Sequence, residues 1–130
     1  MTRINLGIPV QELTREHLIA EHREIKRIPN AIRTGKAVVK DIPEQFRLGT
    51  GHVKFFYDKL GYLRERYEQI YQECLARGYD VTYYGAAWDD IPESLLGSYE
   101  PTESDVAAVR ARIQEKLTQS KRKKDDKSKN

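Results

Sequence analysis

The groups in this 130-residue chain best placed for chemistry are His17, Arg23, Glu24 and Arg27, together with the amine that Thr2 would carry once Met1 is removed. At about 100° per residue, His17, Ala20, Glu24 and Arg27 share one side of a helix, and Arg23 stands beside them. Leu18, His22 and Ile25 fall on another side, with Ile19 nearby. On an ordinary surface, a carboxylate between two arginines is a weak, solvated ion pair. Within a basic surface meant for phosphates, however, an acid weakens attraction, which gives it the profile of a group with chemical work.

The start of the chain, MTRIN, supplies a possible partner for that acid. Initiator methionine is normally trimmed before a small residue, leaving the α-amine on Thr2. Such an amine has a reference pKa of roughly 7.7 to 8.0, so about a tenth is neutral at pH 7, against a few parts in ten thousand for lysine. Nearby arginines lower the value further, because like charge disfavours the protonated form. A neutral amine beside a carboxylate in a basic groove is equipped to attack C1′ of a deoxyribose and form a Schiff base.

Periodicity predicts three main helices to position these groups and gives no convincing sheet. The first is expected from about Pro9 or Val10 to about Lys26, with Pro29 preventing extension much beyond Ile28. The second begins near His52 and carries Val53, Phe56, Tyr57, Leu60, Leu63, Tyr67, Ile70, Tyr71, Cys74 and Leu75 on one stripe, with Gly78 as its C-cap. The third starts near Thr102 or Ser104 and turns Val106, Val109, Ile113 and Leu117 inward. DIPEQFRLG (Asp41 to Gly49) and DIPESLLG (Asp90 to Gly97) each read as a short capped helical turn. The fold class is therefore all-α, a single domain over residues 1–118. The tail, residues 119–130, includes KRKKDDKSKN, which lacks apolar residues and reads as disordered.

Composition excludes other classes. No run approaches the roughly 18 apolar residues of a membrane span, and no secretory signal precedes the first helix. The single cysteine, Cys74, forbids an internal disulfide or a cysteine-based zinc site. These features predict a soluble, intracellular protein. The net charge of +3 hides an asymmetry: residues 1–40 carry eight Lys/Arg against four Asp/Glu, residues 41–120 nine against fourteen, and residues 121–130 six against two. If the fold joins the two ends, they form one basic surface for a polyanion.

Three ungapped stretches, MTRINL, HLIAEHREI at His17 to Ile25, and LGTGHVKFFYDKL at Leu48 to Leu60, resemble the pyrimidine-dimer DNA glycosylase/AP lyases of the phage endonuclease V type. The resemblance spans residues 2–118. It implies a DNA repair enzyme that excises UV-induced cyclobutane pyrimidine dimers through an imine on the Thr2 α-amine, then nicks the strand by β-elimination. Glu24 corresponds to the catalytic carboxylate and His17 to an active-site imidazole. Arg3, Arg23 and Arg27 correspond to phosphate-holding residues, and Arg112 and Lys116 to basic positions of the DNA-binding face. The implied partner is double-stranded DNA carrying UV photoproducts or abasic sites, in the cytoplasm or nucleoid of a bacterial cell or a virus-infected host; a monomer is expected, because the apolar stripes are about what one small core requires. No metal and no cofactor are implied, since the nucleophile is an amine and cleavage is elimination. The chain departs from the family pattern in its tail, which has no aromatic after Tyr99, and at His22, which reads as packing. Tyr83, Tyr84 and Trp88 form an aromatic loop read chiefly as packing. The alternatives are a non-catalytic helical DNA-binding protein on the same scaffold, or an AP lyase for another damaged base.

Overall fold

The computed structural model describes residues 2–128, with side chains through Gln119. The first residues belong to the core: Ile4, Leu6, Ile8, Val10 and Leu13 are all buried. Burying aliphatic side chains of this size stabilises by about 1.5–3 kcal/mol each, so the N-terminal segment is anchored well before the first helix begins. Five α-helices follow, and the architecture is all-α with no strand among the described residues. A lone bridge between Lys59 and Leu96 is the nearest approach to a sheet.

Helix α1 (Arg15–Glu24) starts later than the periodicity predicts. Val10–Glu12 forms a separate 3-10 turn and Leu13 is extended. The side chain of Thr14 then caps α1 by accepting the His17 backbone N–H, and Ser/Thr capping of this kind defines a helix start more sharply than hydrophobic spacing. Nor does Pro29 stop the chain: it sits in the first turn of α2 (Arg27–Arg33), where a missing N–H costs nothing.

The expected long second helix is two helices, α3 (His52–Phe55) and α4 (Leu60–Ala76). The break is tertiary. Leu96 bridges Lys59, and the Gly97 carbonyl accepts the Tyr62 N–H, one of the donors that a continuous helix would have used internally. Gly61 permits this approach, because a Cβ there would stand 2.5 Å from the Leu96 carbonyl oxygen. At the far end, Gly78 (φ +80) and Tyr79 donate to the Leu75 and Cys74 carbonyls, the double closure that a left-handed C-terminal residue allows. Leu63, Tyr67, Ile70 and Cys74 are buried as the stripe predicts, whereas Leu75 is 45% exposed.

Helix α5 (Glu103–Ser128) begins where expected. Thr102 Oγ1 accepts the Asp105 N–H while Asp105 returns a bond to the Thr102 N–H, a capping box that fixes the start. Val109 is fully buried, but Leu117 is 38% exposed, because the helix outruns the core it packs on. The backbone stays helical through Ser128, so the predicted tail begins as a continuation of α5. Of the two Asp-Ile-Pro-Glu stretches, the second forms a 3-10 turn at Glu93–Leu95. The first is not helical: Asp41 adopts φ +54, a left-handed conformation incompatible with capping a turn.

The core is aromatic around α4. Phe55, Phe56, Tyr67 and Trp88 are buried. His22 shares a 3.1 Å hydrogen bond with the Tyr67 hydroxyl and packs against Tyr71 and Tyr84, which makes it a packing residue as expected. Trp88 stacks on Tyr67, and Lys26 lies 3.3 Å above the centre of the Tyr84 ring, so this aromatic loop closes the core.

Candidate active site

The N-terminal segment is held on three sides before it reaches Thr2. Ile4 donates its N–H to His52 Nε2 at 2.9 Å, and its carbonyl accepts from Arg112 at 3.2 Å. Arg112 also reaches the Asn5 side-chain oxygen at 3.4 Å, while the Asn5 amide donates to Glu21 at 2.8 Å. Glu21 is itself buried against Arg66, which continues to the Ile8 carbonyl at 3.0 Å. A buried carboxylate needs such a partner, since an unpaired charge in the interior costs several kcal/mol. The pair raises the Arg66 pKa against the burial that would lower it. α1, α4 and α5 thus converge on residues 4–8.

Two cavities open beside this segment, and they share Arg3 and Arg112 as walls. The larger, about 530 Å³, is lined by Thr2, the Gly49–Gly51 loop, His52, Val53, Lys54 and Tyr57. The smaller, about 220 Å³, is lined by Asn5, His17, Ala20, Glu21, Glu24, Ile113 and Lys116. Glu24 lies largely out of solvent and faces Arg27 at 3.5 Å. Thr14 Oγ1 and His17 Nδ1 share a 2.8 Å hydrogen bond. Burial pushes the His17 imidazole below its ordinary pKa; Glu16 opposes that shift, and Arg112 and Arg3 reinforce it. Burial together with the Arg3 charge also lowers Arg112. A cleft with this balance suits an anionic ligand, and its two carboxylates, Glu21 and Glu24, each face an arginine.

Of the residues predicted from sequence, Arg3, His17, Glu24, Arg112 and Lys116 line one cavity, and Thr2 lines the neighbouring one beyond the shared arginines. Arg27 reaches the group through Glu24. Arg23 is exposed on the same helix and lines neither cavity. Met1 lies outside the described residues. Sequence reasoning passed over Asn5, Glu21, His52 and Arg66. Glu21 left a trace, because on the α1 wheel it falls between Ile25 and His17, at the margin of the apolar arc, where a carboxylate requires a buried cation. His52 left none, as a histidine opening an apolar helix looks like any helix start.

No helix among the described residues is long and apolar enough to cross a membrane, and none of their His, Cys, Asp and Glu side chains cluster as a metal site would require. Fold and cleft together define a small all-α protein that builds a basic groove around its own N-terminal segment. A family model described as pyrimidine dimer DNA glycosylase matches residues 1–84, well over half of the chain, and the protein belongs to that family.

Proposed function

We propose that this protein is a bifunctional glycosylase/AP lyase acting as a monomer on cyclobutane pyrimidine dimers in duplex DNA. The observation that carries the reading is the pair of adjoining cavities, one lined by Thr2 and the other by Glu24, with Arg3 and Arg112 common to both. Family membership supports the substrate. With Met1 removed, the Thr2 amine attacks C1′ of the 5′ nucleotide of the dimer. The C1′–N bond breaks, and its electron pair leaves with the base. Opening of the sugar ring then gives an imine between C1′ and the Thr2 nitrogen. Loss of a proton from C2′ expels the 3′ oxygen with its phosphate, which cuts the strand, and water returns the free amine.

Glu24 stabilises the cationic sugar and imine and assists proton transfer, as a carboxylate does at an oxocarbenium-like centre. Arg3, Arg23, Arg27, Arg112 and Lys116 take the phosphates. Access to C1′ in a stacked duplex requires that the DNA deform, which the cations offset by binding the bent backbone. The test uses a duplex with one site-specific dimer and protein whose Thr2 start is verified by mass. Incision beside the dimer, absent from undamaged duplex, is expected. Tight binding without incision would instead establish a non-catalytic binder, and incision at abasic sites alone would overturn the dimer assignment.

A further inference from the structure

His52 is 3% exposed, and both of its ring nitrogens are engaged within the protein. Nε2 accepts the Ile4 N–H at 2.9 Å, so the ring proton is on Nδ1, which donates to the Arg47 carbonyl at 2.9 Å. Phe46 and Phe56 meet the ring edge-on at 5.5 and 5.4 Å and fix its plane. No lone pair or N–H remains for a substrate. Yet His52 lies in the wall of the cavity that Thr2 lines, and it holds the residue two places from that amine. Two residues of chain reach about 7 Å at most, so a rotation of the Ile4 peptide redirects the amine almost directly.

We propose that His52 is a positioning residue for the Thr2 amine: the Arg47 carbonyl fixes its tautomer, and the Nε2 lone pair then sets where the first residues point. Arg112 completes the hold by taking the Ile4 carbonyl, so the two successive peptide units that flank the Ile4 Cα are each gripped. Anchoring at Ile4 leaves Thr2 itself free to reach a substrate while limiting where it can go. Such restriction supplies rate through orientation, and a misplacement of about 1 Å can cost roughly 10²-fold.

This inference rests on the imine chemistry proposed above, and two substitutions that each keep one of the ring's hydrogen-bonding positions test it. In His52→Gln, the side-chain oxygen stands as many bonds from Cα as Nε2 and keeps an acceptor for Ile4. In His52→Asn, the amide matches Nδ1, keeps the bond to Arg47 and loses the acceptor. Single-turnover borohydride trapping on an abasic duplex, with DNA affinity and thermal melting measured alongside, reads the difference. His52→Gln should trap within about threefold of wild type, and His52→Asn should lose about 10²-fold, with DNA affinity unchanged in both. Equal trapping by wild type and His52→Asn would overturn the proposal. So would a folded His52→Gln with normal affinity that traps as poorly as His52→Asn, or failure of both variants to fold, which would make His52 a residue of stability alone. If His52→Asn alone fails to fold, the His52→Gln rate decides, and a loss beyond tenfold overturns the proposal. Wild-type protein that traps nothing would remove the underlying imine reading instead.

Discussion

At the scale of single residues, two carboxylates line the cleft in different settings. Glu24 faces the cleft and Arg27, whereas Glu21, one turn earlier, is spent on Arg66 and Asn5. Glu24→Gln should bind dimer-containing DNA within a few-fold of wild type but lose about 10²- to 10⁴-fold in single-turnover incision. Normal incision by that variant would remove Glu24 from the chemistry. His52 gives a pH prediction. Burial holds its pKa down to about 4; the Arg47 carbonyl opposes this, Arg112 and Arg3 add to it, and Glu21 counters them. Its unfolded value is about 6.5, so between those values the unfolded chain binds the extra proton. The contribution of neutral His52 is therefore complete above about pH 6.5 and is lost as pH falls toward 4, at about 1 kcal/mol per pH unit or slightly more. His17 and His22 are shifted in the same direction, so the comparison to make is urea unfolding of wild type against His52→Gln at pH 7, 6 and 5. The variant should lose less stability on acidification; equal losses would contradict the assignment. Glu24 and His17 were legible in the sequence because they share a helix face. His52 was not, and Glu21 showed only its place on the wheel and not its partner, because the groups they bind lie 48 and 45 positions away.

At the scale of elements, the sequence revealed helices wherever packing repeats at helical spacing, and hid the points where another segment interrupts them. The stripe from Leu60 to Cys74 is α4. The same stripe upstream of it concealed the break at Lys59, which falls where residues 96 and 97 dock. The start of the last helix near Thr102 and the glycine at 78 were readable because their partners are local. The interruption makes its own prediction. Gly61→Ala drives a Cβ against the Leu96 carbonyl and should cost about 1–3 kcal/mol, visible as a melting temperature lower by roughly 5–10 °C. An unchanged melting temperature would mean that the 96–97 segment does not hold the start of α4.

At the scale of the whole molecule, the N-terminal segment runs through the core to reach a cleft walled by α1 and α5, where Arg3 meets Arg112 and Lys116. The charge asymmetry of the sequence did not locate this surface, since Arg112 and Lys116 come from the net acidic stretch 41–120 and the side chains of the basic run 121–130 lie outside the described residues; nor does anything in MTRINL mark Ile4 and Leu6 as fully buried. Lys116 is exposed at the cleft and makes no ion pair among the described residues. Lys116→Gln should weaken damaged and undamaged DNA alike and reduce the slope of log affinity against log salt by about 1. An unchanged slope would place Lys116 outside the footprint. The most direct test of the central claim is borohydride trapping on a dimer-containing duplex, followed by digestion and mass spectrometry of the adduct. The account predicts a covalent sugar remnant on the α-nitrogen of Thr2, and no adduct when that nitrogen is blocked by an uncleaved extension. An adduct on a lysine, or an undiminished yield from the blocked protein, would contradict it.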